Sequence, residues 1–199
     1  MELRASAIVC SSRPNGETGA VARVLTRDAG MVAGYVAGAR GRQLRPVLIP
    51  GNLVQIEARS QSDSQLPFLR LELTESRGPW LGEPLAAAAI GWATALAAST
   101  LPEQQPYPKL YDALEGLLGA VCHAPSARGW LPGMLGYEAV LLRELGYGAE
   151  LPDLAEADLA GLLAAFDAQG QRLARYPLAD RRIDVMGART MLRERLARL

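Results

Sequence analysis

The spacing of apolar residues changes near residue 76. Before it, apolar positions alternate with polar or small ones over short runs, the two-residue repeat of strands. Residues 52–58 (NLVQIEA) set Val54 and Ile56 against Leu53, Gln55 and Glu57. Residues 67–75 (PFLRLELTE) set Leu69, Leu71 and Leu73 against Phe68, Arg70 and Glu72. Runs at 3–11, 18–26 and 31–38 have similar length and predict three earlier strands. Turn residues separate them: Arg13-Pro14-Asn15-Gly16-Glu17, then Arg27-Asp28-Ala29-Gly30, where Gly30 suits a positive φ. A long basic connection, 39–51 (ARGRQLRPVLIPG), precedes the fourth strand, and a polar stretch, 59–66, precedes the fifth. Five short strands without a long helix between them predict a small closed barrel.

Gly78, Pro79, Gly82 and Pro84 punctuate a linker at 76–84, and beyond it the spacing becomes helical. Residues 85–100 are Ala-rich, with Ile90, Trp92 and Leu96 as bulky members. The chain carries no charge between Glu83 and Glu103. Ala, Gly, Thr and Ser insert poorly into lipid, so this run predicts a buried core helix and no membrane span. Residues 109–122 place Leu110, Leu114, Leu117, Leu118 and Val121 on one face. Residues 134–146 place Leu135, Ala139, Leu142 and Leu145 near one stripe, and 158–175 and 187–199 predict two more helices. The expected organisation is a barrel over 1–78 and an all-α domain over 79–199, an α+β chain.

Composition narrows the chemistry. Of 199 residues 49% are hydrophobic, enough for a sizeable core. Two cysteines, Cys10 and Cys122, and one histidine, His123, exclude a disulfide framework, a four-cysteine zinc site and any site that needs two histidines. Few cysteines and no secretory leader predict a reducing cytoplasm. The 21 basic and 21 acidic residues cancel, which speaks against a blanket polyanion binder. The cancellation is uneven. Residues 1–79 hold ten Arg against seven acidic residues, a net of +3. Residues 80–170 hold three basic against eleven acidic, a net of −8. Residues 171–199 hold eight Arg against three acidic, a net of +5. Such asymmetry hints at nucleic-acid contact.

Several stretches then become recognisable in their order. Ser12-Arg13-Pro14 is followed by Gly16-Glu17-Thr18, and Val24-Leu25-Thr26 by a turn ending in Gly30. Val36-Ala37-Gly38-Ala39-Arg40 and Pro50-Gly51 come next, and Tyr137-Glu138, Leu141-Leu142 and Leu145-Gly146-Tyr147 lie in the helical part. Together they resemble the RecO family of bacterial recombination mediators. The resemblance implies an N-terminal five-stranded OB-fold followed by a helical domain, and no enzymatic activity. It implies binding of single- and double-stranded DNA, annealing of complementary strands, and help in loading a recombinase onto DNA coated by single-strand-binding protein. The implied partners are DNA without sequence preference, RecR, and the acidic C-terminal tail of single-strand-binding protein. The implied location is the cytoplasm, at the nucleoid during repair.

The chain departs from the family at three places. Ala37 stands where the family carries Lys. Residues 148–171 hold no cysteine where many members have a four-cysteine zinc module, so no zinc or other cofactor is expected. Pro132-Gly133-Met134-Leu135-Gly136 stands where members often carry basic residues near the acidic-tail docking site. Arg128 and Arg143 are the candidates to substitute there.

Candidate DNA contacts come from the barrel. Arg40, Arg42 and Arg45 share a loop with Gly38 and Gly41, and three guanidiniums so close can neutralise several phosphates. The other reading is a solvated loop. Arg13, Arg23 and Arg27, from the first turn and second strand, extend the basic groove or are ordinary strand surface. Tyr35 either stacks on a base or packs as a core aromatic. The C-terminal arginines (Arg172, Arg175, Arg181, Arg182, Arg189, Arg193, Arg195, Arg198) form a second basic cluster, which either joins a DNA track or neutralises the acidic middle. Cys122-His123 are adjacent on a helix and point about 100° apart, so they make no nucleophile pair. No Walker-type phosphate loop occurs, and nothing suggests an enzyme. A protein-interaction module without DNA binding is the alternative function.

Overall fold

The computed structural model describes residues 2–60, 62, 65–148, 154, 157–179 and 184–199. Five strands form first: β1 (Glu2–Asn15), β2 (Gly19–Thr26), β3 (Gly30–Val36), β4 (Leu53–Arg59) and β5 (Phe68–Glu75). They close into a barrel in the order β1-β2-β3-β5-β4. Five helices follow: α1 (Pro84–Thr100), α2 (Pro108–His123), α3 (Leu131–Glu144), α4 (Leu159–Arg175) and α5 (Met186–Leu196). This is the expected α+β architecture, an OB-fold barrel and then helices. The chain forms two compact units, Met1–Gly82 with Leu101–Pro108, and Glu83–Thr100 with Lys109–Leu199.

Barrel packing follows from the alternation. Ala7, Val9, Ala22, Val24, Val32, Val54, Ile56 and Ala58 all point inward and are buried. A narrow barrel has room for Ala and Val at many inward positions and for few larger groups. Ala39, Val47 and Leu48 from the long connection after β3 complete this core. That connection is therefore packed on the barrel through its apolar residues, while its arginines are exposed.

β1 is longer than the sequence suggests. Arg13, Pro14 and Asn15 read as a turn, yet they pair with Val21, Ala20 and Gly19. A bulge between Val9 and Ser11 bends the strand, so one half pairs with β4 and the other with β2. The turn itself is made at Gly16, with φ +70. The pattern of β5 also weakens along its length: Leu69 is buried, Leu71 half-buried and Leu73 exposed. The parallel pairing of β3 with β5 is confined to Tyr35 and Phe68, and the strands diverge beyond it.

Residues 101–108 fold with the barrel. The Gln104 amide donates to the Met31 carbonyl at 2.9 Å. Gly30 is required there twice over. Its φ is +73, and a Cβ would lie 2.0 Å from the Gln105 carbonyl oxygen.

In the helical unit, α5 packs along α1, and α3 packs on α4. The charge-free α1 buries Ala89, Ile90, Trp92, Ala93, Leu96 and Ala97. Among the described residues no helix is long and apolar enough to cross a membrane. Helix α3 starts at Leu131, ahead of the expected 134, because Pro132 fits the first turn. Asp158 caps α4, its carboxylate accepting from the Gly161 amide at 2.8 Å.

Candidate nucleic-acid interface

The basic connection between β3 and β4 is held at both ends. At its start, the Arg40 amide donates to the Thr18 carbonyl at 3.2 Å and the Arg40 guanidinium to the Glu17 carbonyl at 3.1 Å. At its end, Asn52 is fully buried. Its Nδ2 donates to the carbonyls of Pro46 (2.8 Å) and Val47 (3.1 Å), and its Oδ1 accepts from the Arg77 amide at 2.7 Å. Gly51 and Asn52 add a two-way backbone exchange with Val9 at 2.8 and 2.9 Å. A connection of this length that is tied so closely presents its side chains in a defined arrangement.

Arg40, Arg42 and Arg45 all project to solvent from it. No carboxylate among the described residues lies within ion-pair distance of any of the three. Arg40 and Arg45 line a depression of about 480 Å³ with Ser12, Pro14, Ala20, Ala39 and Leu48. Arg13 sits on β1 between two members of that wall and is exposed. Successive strand residues face opposite ways, so it points to the other side of the strand pair.

Arg23 and Arg27 each have a carboxylate within ion-pair distance. Arg23 donates to the Glu103 carboxylate at 3.2 Å and to the Leu101 carbonyl at 3.1 Å. It ties β2 to the 101–108 segment, with only 29% of its side chain exposed. Arg27 lies in the β2–β3 turn and pairs with its neighbour Asp28 at 3.6 Å. The structure therefore groups Arg40 and Arg45, keeps Arg42 and Arg13 exposed near them, and commits Arg23 to an internal tie.

Among the described C-terminal arginines, Arg189 and Arg193 are committed to carboxylates. Arg189 is buried and donates through Nε and NH2 to the two Glu138 oxygens, both at 2.9 Å. It also donates to the Phe166 carbonyl and lies over the Phe166 ring at 3.5 Å. Trp92 Nε1 (2.7 Å) and Gln169 Nε2 (3.0 Å) complete the donors to Glu138. The Glu of the Tyr137-Glu138 pair is thus the centre of a four-residue lock joining α1, α3, α4 and α5. Arg193 forms a two-pronged pair with Asp167 at 2.7 and 2.9 Å. That guanidinium holds the Asp167 carboxyl below its ordinary range. Arg172 donates to the Gly148 carbonyl at 3.0 Å, and Arg175 lies 5.5 Å from the Tyr176 ring centre. Arg198 is exposed, while Arg181 and Arg182 lie outside the described residues.

Arg128 and Arg143 are both exposed but form no single patch. Arg128 sits in the short turn before α3 and Arg143 in its last turn. The helix rises about 18 Å between Leu131 and Arg143 at 1.5 Å per residue. Nor does the described structure gather reactive groups. Burial pushes the Cys10 thiol up to about 12, which makes it a packing residue. Among the described residues no three of His, Cys, Asp and Glu are placed to hold a metal ion.

Two family models match the chain. Residues 1–77 match the N-terminal region of recombination protein O, and residues 81–182 match its C-terminal region. The chain belongs to the RecO family. The first RecO match covers the barrel, and the second covers α1 to α4 and stops before α5. The DNA repair protein RecO of Gluconacetobacter diazotrophicus is 37% identical over 154 residues, 76% of this chain and 61% of that protein. The RecO of Caulobacter vibrioides is 40% identical over 152 residues, again 61% of its length. The chain thus spans about three fifths of these relatives. For the RecO of Rhizobium etli the identity is 34% over 185 residues, 91% of this chain and 71% of that protein.

Two features escape the sequence, the exposure of Phe68 and the anchoring role of the buried Asn52. The outward position of Phe68 was legible in the alternation of β5, but its exposure was not. An Asn immediately after Pro50-Gly51 gives no signal of a three-bond anchor.

Proposed function

We propose that this chain is a non-enzymatic DNA-binding mediator of recombinational repair. The observation that carries the reading is the pinned loop with Arg40, Arg42 and Arg45 exposed and, among the described residues, unopposed by carboxylate. Guanidiniums so placed neutralise phosphates and release counterions, an attraction that does not depend on base sequence. Arg13, which points to the other side of the strand pair, is not part of this contact. Arg23, occupied by Glu103 and Leu101, is left out, as is Arg27 beside Asp28.

A surface of this kind binds single and double strands alike through their backbones. Neutralising two strands at once lowers their repulsion, which favours annealing. Family membership supports a further part of this reading, help in loading a recombinase onto coated DNA with RecR and the tail of single-strand-binding protein as partners. Arg128 or Arg143, taken singly, is the basic contact offered to that acidic tail.

The test is fluorescence anisotropy with single- and double-stranded oligonucleotides at low salt. The wild-type chain binds both, and the combined Arg40→Ala, Arg42→Ala, Arg45→Ala variant binds both more than about tenfold less tightly. Absence of wild-type binding at low salt would overturn the reading and leave a protein-interaction module.

A further inference from the structure

Phe68 is 63% exposed at the start of β5, an unusual place for a benzyl group. It is held there rather than loose. Its strand partner is Tyr35, and the two rings meet edge to face with centroids 5.7 Å apart and planes at 89°. Tyr35 is fixed in turn. Its ring lies so close over Gly19 that a Cβ there would be 2.2 Å from the hydroxyl oxygen. Gly19, Tyr35 and Phe68 therefore form a supported aromatic step across β2, β3 and β5.

The step borders a groove of about 660 Å³ that opens where β3 and β5 diverge. Ala37, Leu44, Glu57, Arg59, Arg70 and Leu71 are among the residues that line it. Ala37 and Leu44 bracket Arg40 and Arg42 in the chain, so the basic loop forms one wall. The cations differ in availability. Arg59 pairs with Glu57 at 2.7 Å and with Glu2 at 3.4 Å. Arg4 holds Glu57 as well, at 2.8 Å, and pulls its carboxyl below the ordinary range. Arg70 is exposed, with no ion-pair partner among the described residues.

We propose that the groove beside Phe68 is a stacking subsite for one unpaired base of single-stranded nucleic acid, with Arg70 facing its phosphate. The proposal rests on the basic loop contacting phosphates and adds what that loop lacks, a preference between strands. A planar ring with an unpaired guanidinium close by matches a flat π-face linked to an anion. A base inside a duplex has both faces covered by its neighbours and cannot enter. An apolar peptide would use the ring and Leu71 but leave Arg70 unmatched.

The experiment compares single-stranded and duplex DNA of equal length, the single strand carrying 2-aminopurine. Phe68→Ala removes an exposed group, so the fold is retained. It is expected to weaken single-strand binding about five- to hundredfold. Duplex affinity and the salt dependence of both forms stay unchanged, because no phosphate contact is lost. Wild-type protein changes the 2-aminopurine emission on binding, Phe68→Ala does not, and Phe68→Trp restores the change. Equal loss for both DNA forms, or no loss for either, overturns the stacking subsite while leaving the phosphate-contact reading intact. Failure of the wild type to bind either form overturns both.

Discussion

Arg42 and Arg189 carry the same guanidinium into opposite environments. Arg42 stands in solvent on a loop whose ends are tied, with no carboxylate among the described residues within ion-pair distance. Arg189 is enclosed by Glu138, Phe166 and Trp92, with Nε and NH2 hydrogen-bonded inside the protein. A charge withdrawn from water must be matched by an opposite charge and by hydrogen bonds, and Glu138 supplies both. A charge left in water needs no partner and stays available to a ligand. The number of arginines in a segment therefore says little about binding until each has been assigned to one fate. The barrel loop keeps its charges for outside use, whereas α5 spends Arg189 and Arg193 on internal contacts.

The largest effect should come from breaking the buried side of this comparison. Arg189→Ala leaves the buried Glu138 carboxyl without its main partner. It should destabilise the protein by about 3–5 kcal/mol, read from urea unfolding. Replacing both Arg189 and Glu138 with apolar residues of similar size should recover much of that loss. Gly170→Ala gives a related check, since its Cβ would lie 2.1 Å from Arg189 NH1. A loss of under about 1 kcal/mol for Arg189→Ala would show that the lock is dispensable.

Next in size is Asn52→Ala, which removes the loop anchor and leaves the Arg77 amide and two loop carbonyls without their partner. Stability should fall by about 1–3 kcal/mol. DNA affinity should fall too, although the charge is unchanged, because the arginines lose their fixed arrangement. Unchanged affinity would mean that charge alone suffices.

The smallest effect belongs to the surface pair Arg193–Asp167, whose side chains are 31% and 48% exposed. Asp167→Asn should cost about 0.2–1 kcal/mol at neutral pH. Asp167 has its carboxyl held below the usual 3.8, so its contribution is present above that value and disappears as pH falls through the lower, folded one. The wild-type advantage over Asp167→Asn should therefore vanish in acid, as followed by thermal unfolding.

Much of this fold is local, and local patterns are what a sequence displays. Val54, Ile56 and Ala58 alternate as they face the barrel core, and Leu110 to Val121 repeat at helical spacing. What was hidden depends on partners far along the chain. Glu138 and Arg189 are 51 residues apart, and Arg23 lies 80 residues from Glu103. No nearby residue distinguishes such arginines from Arg42. Pro14-Asn15-Gly16 carries turn chemistry and predicts a shorter β1, whereas Asn15 pairs with Gly19 on β2. The candidate loop was legible as a basic stretch rich in glycine. Its rigidity was not, because that comes from Asn52 and Val9 on the barrel.

The assignment of fates is tested most directly by the salt dependence of single-strand binding in two variants. One replaces Arg40, Arg42 and Arg45 with Ala, and the other replaces Arg193 with Gln. Each phosphate contact contributes about 0.7 to the slope of log affinity against log salt for single strands. The account predicts a slope lower by about 2 in the loop variant and unchanged in the α5 variant. An unchanged slope in the loop variant, with a lower one in the α5 variant, would contradict it.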